Sequence, residues 1–413
     1  MDKIFCTTGL ARRILLTGSG FLCVFILLTC SLLYDVPTRT PAYGNNVITG
    51  AERTDQYLPL IEGRRVGIVA NHTSITGNSH LVDSLISLGV DVRKIFTPEH
   101  GFRGIADAGE KINTSVDERT GIPLISLYGN NLKPSSVDLK DLDIMIYDIQ
   151  DVGARFYTYI STMHYVMEAC AENGIPFLVL DRPNPNGFYV DGPVLEMEQR
   201  SFVGMHPVPV VHGMTVAEYA KMINGEGWLS DGIQADLHYV LCKNYDHLTL
   251  YRLPVRPSPN LQTQLSIYLY PSLCLFEGTI MSVGRGTDYP FMVFGHPRLT
   301  NSDFQFIPVS TQGARFPPLK GETVNGIDLR EVREEYLVER GLLNLDWLIF
   351  AYNNTPRDIE FFNSFFYRLS GNSHLRYQIE SGMTAEEISA TWQQDVEDFK
   401  KIRRKYLLYD DFE

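Results

Sequence analysis

Five times along the chain a short apolar run stops at a cluster of polar, chemically capable residues. The run at 66–70 ends in Asn71-His72-Thr73-Ser74, and the run at 92–97 ends in Pro98-Glu99-His100-Gly101-Phe102-Arg103-Gly104. Residues 123–127 end at Tyr128-Gly129, 144–147 in Asp148-Ile149-Gln150-Asp151-Val152-Gly153-Ala154-Arg155, and 176–180 in Asp181-Arg182-Pro183-Asn184. Continuous Val/Ile/Leu runs separated by helices predict parallel strands covered on both faces. In such a sheet ligands bind beyond the carboxyl ends of the strands. The pattern therefore predicts one polar crevice along one edge of one sheet.

The intervening segments have the helical period. Residues 80–88 carry Leu81, Val82, Leu85, Ile86 and Leu88 on one face, with Gly89 as a stop. Residues 159–172 behave likewise and end at Asn173-Gly174, and 215–224 open on Thr215 with Glu218 three residues later, a capping box. The order predicts a doubly wound, Rossmann-like α/β domain over 47–250, with right-handed crossovers. Beyond Leu250, Pro254, Pro257 and Pro259 interrupt the pattern. There 304–309 alternates like a strand, while 346–352 and 385–404 read as helices, which predicts a second, smaller α+β domain over 251–413.

The first forty of the 413 residues stand apart from this scheme. Lys3, Arg12 and Arg13 precede an apolar stretch at 14–33, long for a signal-peptide core and, at roughly 20 residues, just long enough to span a bilayer. Residues 1–40 are expected to be a signal peptide or membrane anchor, so the remainder is exported and periplasmic. Leu27-Leu28-Thr29-Cys30 resembles a lipoprotein processing site in which Cys30 becomes the lipidated terminus and 37–49 a tether, although Thr29 replaces the usual smaller residue. Past the leader only Cys170, Cys242 and Cys274 remain, which is no disulfide framework and reads as buried thiols. The net charge of −13 argues against nucleic acid as a partner and against a polybasic contact with anionic lipid. A neutral or sugar-like ligand held by a few arginines fits the balance better.

Each polar cluster has a functional and a structural reading. Glu99, flanked by residues that let the chain turn sharply at a strand end, can act as a general acid if its crevice is partly buried; otherwise it is a loop carboxylate paired with Arg103. His100 beside it is ambiguous in the same way. Residues 147–159 bring two carboxylates, an amide, a guanidinium and phenols to one strand-to-helix junction, the aromatic faces and polar forks that sugar recognition needs. Asp148 there reads as a turn cap, and Asp151 and Arg155, four apart, can simply pair on a helical turn. Asp181-Arg182-Pro183-Asn184-Pro185-Asn186-Gly187 forms a proline-stiffened loop suited to binding or to a plain turn. No His-Glu-x-x-His is present and His72, His100, His164, His206 and His212 are scattered, so no metal is expected. Gly-x-Ser-x-Gly is missing, as is Gly-x-Gly-x-x-Gly after the first run, so neither a serine-hydrolase elbow nor a dinucleotide cofactor is expected.

These stretches together resemble the bacterial DUF1343 family, whose characterised members are exo-β-N-acetylmuramidases of the NamZ type. The resemblance runs from about residue 50 onward through ANHTS at 70–74, PEHGFRG at 98–104, DAGE at 107–110, YDIQDVGARFYTYI at 147–160, DRPNP at 181–185, HGMT at 212–215, PSPN at 257–260, and FEGT and GRGT at 276–279 and 284–287. It implies release of N-acetylmuramic acid from the non-reducing ends of peptidoglycan fragments. It also implies a Rossmann-like domain plus a smaller α+β domain, a site in the cleft between them, and no cofactor. Carried onto this chain, it makes Glu99 the candidate for the catalytic acid; a second carboxylate, Asp151 or Glu277, the substrate's own acetamido group or an activated water would complete the displacement. Asn71, His72, His100, Arg103, Tyr128, Gln150, Arg155, Tyr157, Asp181, Arg182, Asn184, His212 and Asn260 form the binding set, with Arg285 closing it from beyond the sheet domain. An arginine among Arg103, Arg155 and Arg182 is expected to hold the lactyl carboxylate that distinguishes muramic acid. Val211 stands where the family often has Arg before the HGMT motif, and Ile280 and Val283 where it has acidic or amide residues.

Two function classes follow. The first is an exported glycoside hydrolase acting on muropeptide-derived saccharides. The second, kept open by Val211, Ile280 and Val283, is a membrane-anchored muropeptide-binding protein without activity. An amidase or esterase on the peptide stem lacks a nucleophile motif.

Overall fold

The computed structural model describes residues 40–44, 46–99, 101–102 and 115–413. The leader with Cys30, the first part of the expected tether, His100, Arg103 and the 107–110 motif lie outside the described residues. All five apolar runs are strands of one seven-stranded sheet: β1 (Arg65–Ala70), β2 (Asp91–Thr97), β3 (Ser115–Val116), β4 (Pro123–Ser126), β5 (Ile144–Asp148), β6 (Phe177–Leu180) and β7 (Leu237–Val240). The order is β7-β6-β5-β1-β2-β4-β3, parallel throughout except for β3, which runs antiparallel to β4. The sequence pattern misses β3 because it has only two residues, and β7 because it is an edge strand whose His238 and Tyr239 face solvent.

Burial on both faces explains why these strands read as unbroken apolar runs. Alternate side chains feed two separate cores. Val69, Phe96, Met145, Tyr147, Phe177 and Val179 point into one, and Ile68, Ala70, Ile95, Ile144, Ile146, Leu178 and Leu180 into the other. The helix Leu81–Ser87 packs on the second core, whereas Tyr159–Glu172 and Val216–Gly225 pack on the first. Val216–Gly225 starts with the expected capping box, Thr215 Oγ1 accepting from the Glu218 amide and Glu218 accepting from the Thr215 amide.

Beyond residue 250 a helix, Gln264–Leu273, continues the first core, and Val293–His296, Val324–Asp328 and Phe304–Phe306 form a small antiparallel sheet in that order. The strand expected over 304–309 is thus shorter. The single helix expected over 385–404 is two, Ala385–Ala390 and Gln393–Arg403. Trp392 sits at the break, buried, with Nε1 donating to Asp191 Oδ1 at 2.8 Å, so a tertiary contact rather than local pattern sets the interruption. Among the described residues no helix is long and apolar enough to cross a membrane.

Buried polar groups tie distant segments together. The fully buried Arg155 guanidinium donates to the carbonyls of Pro193 (2.7 Å), Val208 (2.8 Å), Leu369 (3.0 Å) and Ser370 (2.8 Å), and burial lowers its pKa to about 10. His206 Nε2 and His164 Nδ1 share a hydrogen bond of 2.9 Å, and His206 Nδ1 meets the Tyr219 hydroxyl at 3.0 Å. Each unpaired buried carbonyl costs about 1–3 kcal/mol, so Arg155→Met should lower unfolding free energy by at least about 3 kcal/mol in urea titrations.

Burial pushes His164 down from 6.5 to about 4 and His206 well below its ordinary value. Both therefore take up protons more readily unfolded than folded. Their neutral pairing is fully retained above pH 6.5 and is lost as pH falls from there to about 4. A His164→Asn/His206→Asn double variant should lose less stability between about pH 7.5 and about pH 5 than the parent, read as the change in denaturation midpoint.

Candidate active site

The chain leaves β1 for β2 on one side and later returns to β5 on the other, which places the topological switch point between β1 and β5. Their polar ends meet there and bond mainly to each other. Asn71 Oδ1 accepts from the Thr73 amide (2.8 Å) and hydroxyl (2.6 Å), the Gln150 amide donates to Thr73 Oγ1 (3.0 Å), and Ser74 Oγ donates to the Asp148 carbonyl. Arg182 forks onto Asp148 at 2.6 and 2.9 Å and donates to the Ile75 carbonyl at 2.9 Å.

Next to this stitched seam lies a cavity of about 200 Å³. Glu99, two residues past the end of β2, faces it together with Tyr157 and Tyr159 from the segment after β5. Tyr270, Glu277 and Arg285 complete it from beyond residue 250. The aromatic rings brace one another edge to face: Tyr157–Tyr159 at 4.9 Å, Tyr157–Tyr270 at 5.8 Å and Tyr270–Phe291 at 5.1 Å between centroids. Tyr157 is further held by donating to the Pro257 carbonyl at 2.8 Å. Arg285 Nε donates to Glu277 Oε1 at 2.5 Å, and its guanidinium lies 4.9 Å over the Phe291 ring. Burial alone would lower the Arg285 pKa; the Glu277 carboxylate outweighs it and holds the pKa up.

A second, more apolar hollow of about 320 Å³ shares Glu277 and Phe365 with the first and is lined by Ile280, Val283 and Leu319. The two departures from the family pattern beyond the sheet domain thus fall on one surface adjoining the cavity. Val211 is different: it is fully buried and bridges to Ala154 and Asp191, a core position.

Of the residues singled out from sequence, Glu99, Tyr157, Glu277 and Arg285 meet at the cavity. His100 and Arg103 lie outside the described residues, and the other described ones are not among its lining residues. Asp151 is 4 % exposed, one oxygen accepting from the Gly153 amide at 2.6 Å, and burial raises its pKa to about 7. It makes no ion pair with Arg155, which is committed to carbonyls. Gln150 donates to the Asp151 and Pro183 carbonyls. Asp181, its pKa raised to about 6 by burial, accepts from the Tyr409 hydroxyl at 2.6 Å and the Ala217 amide at 2.9 Å. Asn184 donates to the Met214 carbonyl, and Asn260 to that of Gly313. His212 is buried with its pKa lowered to about 3, burial being the main cause. His72 contacts the Arg256 carbonyl at 2.8 Å, and Tyr128 is half-buried at the end of β4. Most of these side chains bond to neighbouring protein groups, as buried polar groups generally do, although Asp151 Oδ1 and His212 Nε2 have no hydrogen-bond partner among the described residues.

Tyr159, Tyr270 and Ser258 line the cavity without having been singled out. Tyr159 and Ser258 lie inside the 147–160 and 257–260 motifs, so a signal existed; Tyr270 lies in an apolar helix and gave none. Among the described residues no group of three His, Cys, Asp or Glu side chains converges as metal ligands would.

Two carboxyl groups in a cavity also lined by six aromatic rings are the equipment of glycoside hydrolysis, and that is the class this site defines. Comparison narrows it. Residues 66–265 match the family described as exo-β-N-acetylmuramidase NamZ, N-terminal, and residues 268–409 match its C-terminal counterpart. The peptidoglycan β-N-acetylmuramidase NamZ of Bacillus subtilis (strain 168) is 40% identical over 376 residues, 86% of this chain and 89% of that protein. A crystal structure of a DUF1343 family protein from Bacteroides fragilis NCTC 9343 has a TM-score of 0.83 and 49% identity, covering 89% of this chain and 100% of that one. A second from the same organism has a TM-score of 0.71 and 30% identity, covering 88% and 99%. The chain belongs to the NamZ family of exo-β-N-acetylmuramidases, formerly DUF1343.

The turn that carries Arg285 depends on glycine. Gly286 has φ +83°, and a β-carbon there would run into the Val309 carbonyl and the Pro317 ring. Gly286→Ala should displace the 309–317 loop and Arg285 with it, lowering kcat/KM by about tenfold or more alongside a lowered Tm.

Proposed function

We propose that the chain is an exported glycosidase that removes N-acetylmuramic acid from the non-reducing ends of peptidoglycan fragments. The observation that carries this reading is that Glu99 and Glu277 line one cavity together with six aromatic rings, in a chain of this family. Glu99 is the acid that protonates the leaving oxygen. Glu277, held by the Arg285 cation, takes the anionic role, as nucleophile, base or stabiliser of the oxocarbenium-like transition state. Asp151, the other residue considered for that role, does not face the cavity. Arg155 and Arg182 are committed to internal partners, which leaves Arg285 as the described arginine that reaches the sugar. The hollow beyond Glu277 and Phe365 offers room for the rest of the saccharide.

Assay with a chromogenic β-N-acetylmuramide tests the assignment. Glu99→Gln and Glu277→Gln should each reduce kcat by about 10²-fold or more, Glu277→Gln with a lowered melting temperature as well because Arg285 loses its ion pair. Full turnover by either variant removes that carboxyl group from the chemistry.

A further inference from the structure

Phe316 is 81 % exposed, more than any other large apolar side chain among the described residues, and Ile307 and Val309 before it are each 51 % exposed. Leaving such a ring in water contributes nothing to folding, and apolar side chains gathered on a surface mark binding sites. The segment that carries the ring is tied down. The Gly321 amide donates to the Pro308 carbonyl at 2.8 Å and closes its ends, and the Val309 amide donates to the Gly286 carbonyl at 2.9 Å. Asn260 Nδ2 donates to the Gly313 carbonyl at 2.8 Å, and Ser310 Oγ to the Arg315 carbonyl at 2.7 Å. Pro317 and Pro318 follow the ring, and a proline restricts both its own backbone and that of the residue before it. A ring presented in this way loses little freedom on binding.

Position and charge indicate what the ring meets. Pro318 and Leu319 line the hollow that shares Glu277 and Phe365 with the cavity. Two residues of chain span at most about 7 Å, so Phe316 stands within reach of the rim of that hollow. Residues 304–321 contain Arg315 and Lys320 and no Asp or Glu, in a chain of net charge −13. Both cations lie beside the Phe316 ring, 5.8 and 5.9 Å from its centroid. An exposed aromatic face suits the CH face of a sugar, and neighbouring cations suit carboxylates. A glycan strand whose muramic acid units carry lactyl carboxylates offers both.

We propose that Phe316, Arg315 and Lys320 form a platform outside the cavity on which the uncleaved part of a peptidoglycan strand rests, so that the protein favours long strands over short saccharides. The proposal rests on the muramidase reading for the identity of the strand. A single sugar in the cavity does not reach the platform; a strand leaving through the hollow does.

The experiment compares peptide-free peptidoglycan strands with a chromogenic β-N-acetylmuramide for the parent, Phe316→Ala and an Arg315→Ala/Lys320→Ala double variant. On strands each variant should lose about fivefold or more in kcat/KM, mainly through KM; on the chromogenic monosaccharide each should change less than about twofold, with an unaltered Tm. Retention on immobilised strands reads binding without cleavage. There the parent should be held more tightly than either variant, and more tightly on peptidoglycan strands than on chitin, which lacks the lactyl carboxylate. Equal losses on strand and monosaccharide, parent-like behaviour of Phe316→Ala on strands, or equal retention of the parent on chitin overturn the proposal. A parent that cleaves neither substrate yet is retained on strands through Phe316 sinks the muramidase reading alone, and a parent that cleaves both with no help from Phe316 sinks the platform alone.

Discussion

The Arg155 guanidinium lies without solvent contact and donates to four carbonyls, two in the segment after β6 and two at 369–370 near the far end of the chain. Two residues further on, Tyr157 enters the cavity wall, and Leu369 lines the same cavity. One cation therefore ties together two segments that line it. A planar fork with five donors can serve several carbonyls at once, which a lysine cannot. Four carbonyls on its two terminal nitrogens offset the cost of burying this cation, while Nε has no hydrogen-bond partner among the described residues. The adjacent Gly371 belongs to the same arrangement, because a β-carbon there would collide with the guanidinium.

Around that clamp the polar residues at the strand ends divide into two groups. Those at the switch point between β1 and β5, including Asn71, Asp148, Gln150 and Arg182, bond largely to one another and close the seam. Those displaced from it, Glu99 and Tyr159, join Glu277 and Arg285 around open space. The division follows from water access. A carboxylate sealed off from solvent needs a cation or several donors, as Asp148 has in Arg182, whereas Glu99 is only half-buried. The cavity thus sits beside the switch point, where the second half of the chain reaches over the sheet edge.

Much of the fold was legible because local pattern and tertiary environment agree. Five strands buried on both faces must be apolar throughout, and five such runs were visible; helices with one buried face show their period, and Thr215 with Glu218 announces a helix start. The site was legible in part. Glu99, Tyr157, Glu277 and Arg285 stand in motifs, but so do Asp151, Arg155 and Asp181, and nothing in one dimension distinguishes a polar side chain facing a cavity from one facing a backbone carbonyl. Tyr270 was illegible altogether, since its one polar atom rides on an apolar helix.

By itself, then, the order of residues determined the parallel sheet, its crossover helices and the edge at which chemistry collects, since each depends on burial periodicity and turn chemistry that act over a few residues. The tertiary structure alone decided which polar groups face open space, that the paired Glu277 and Arg285 from beyond residue 250 line the same cavity as Glu99, and that Trp392 at the helix break bonds to Asp191. Those outcomes turn on contacts between segments up to two hundred positions apart, and the direction of a side chain at such a contact is set by whatever packs against it.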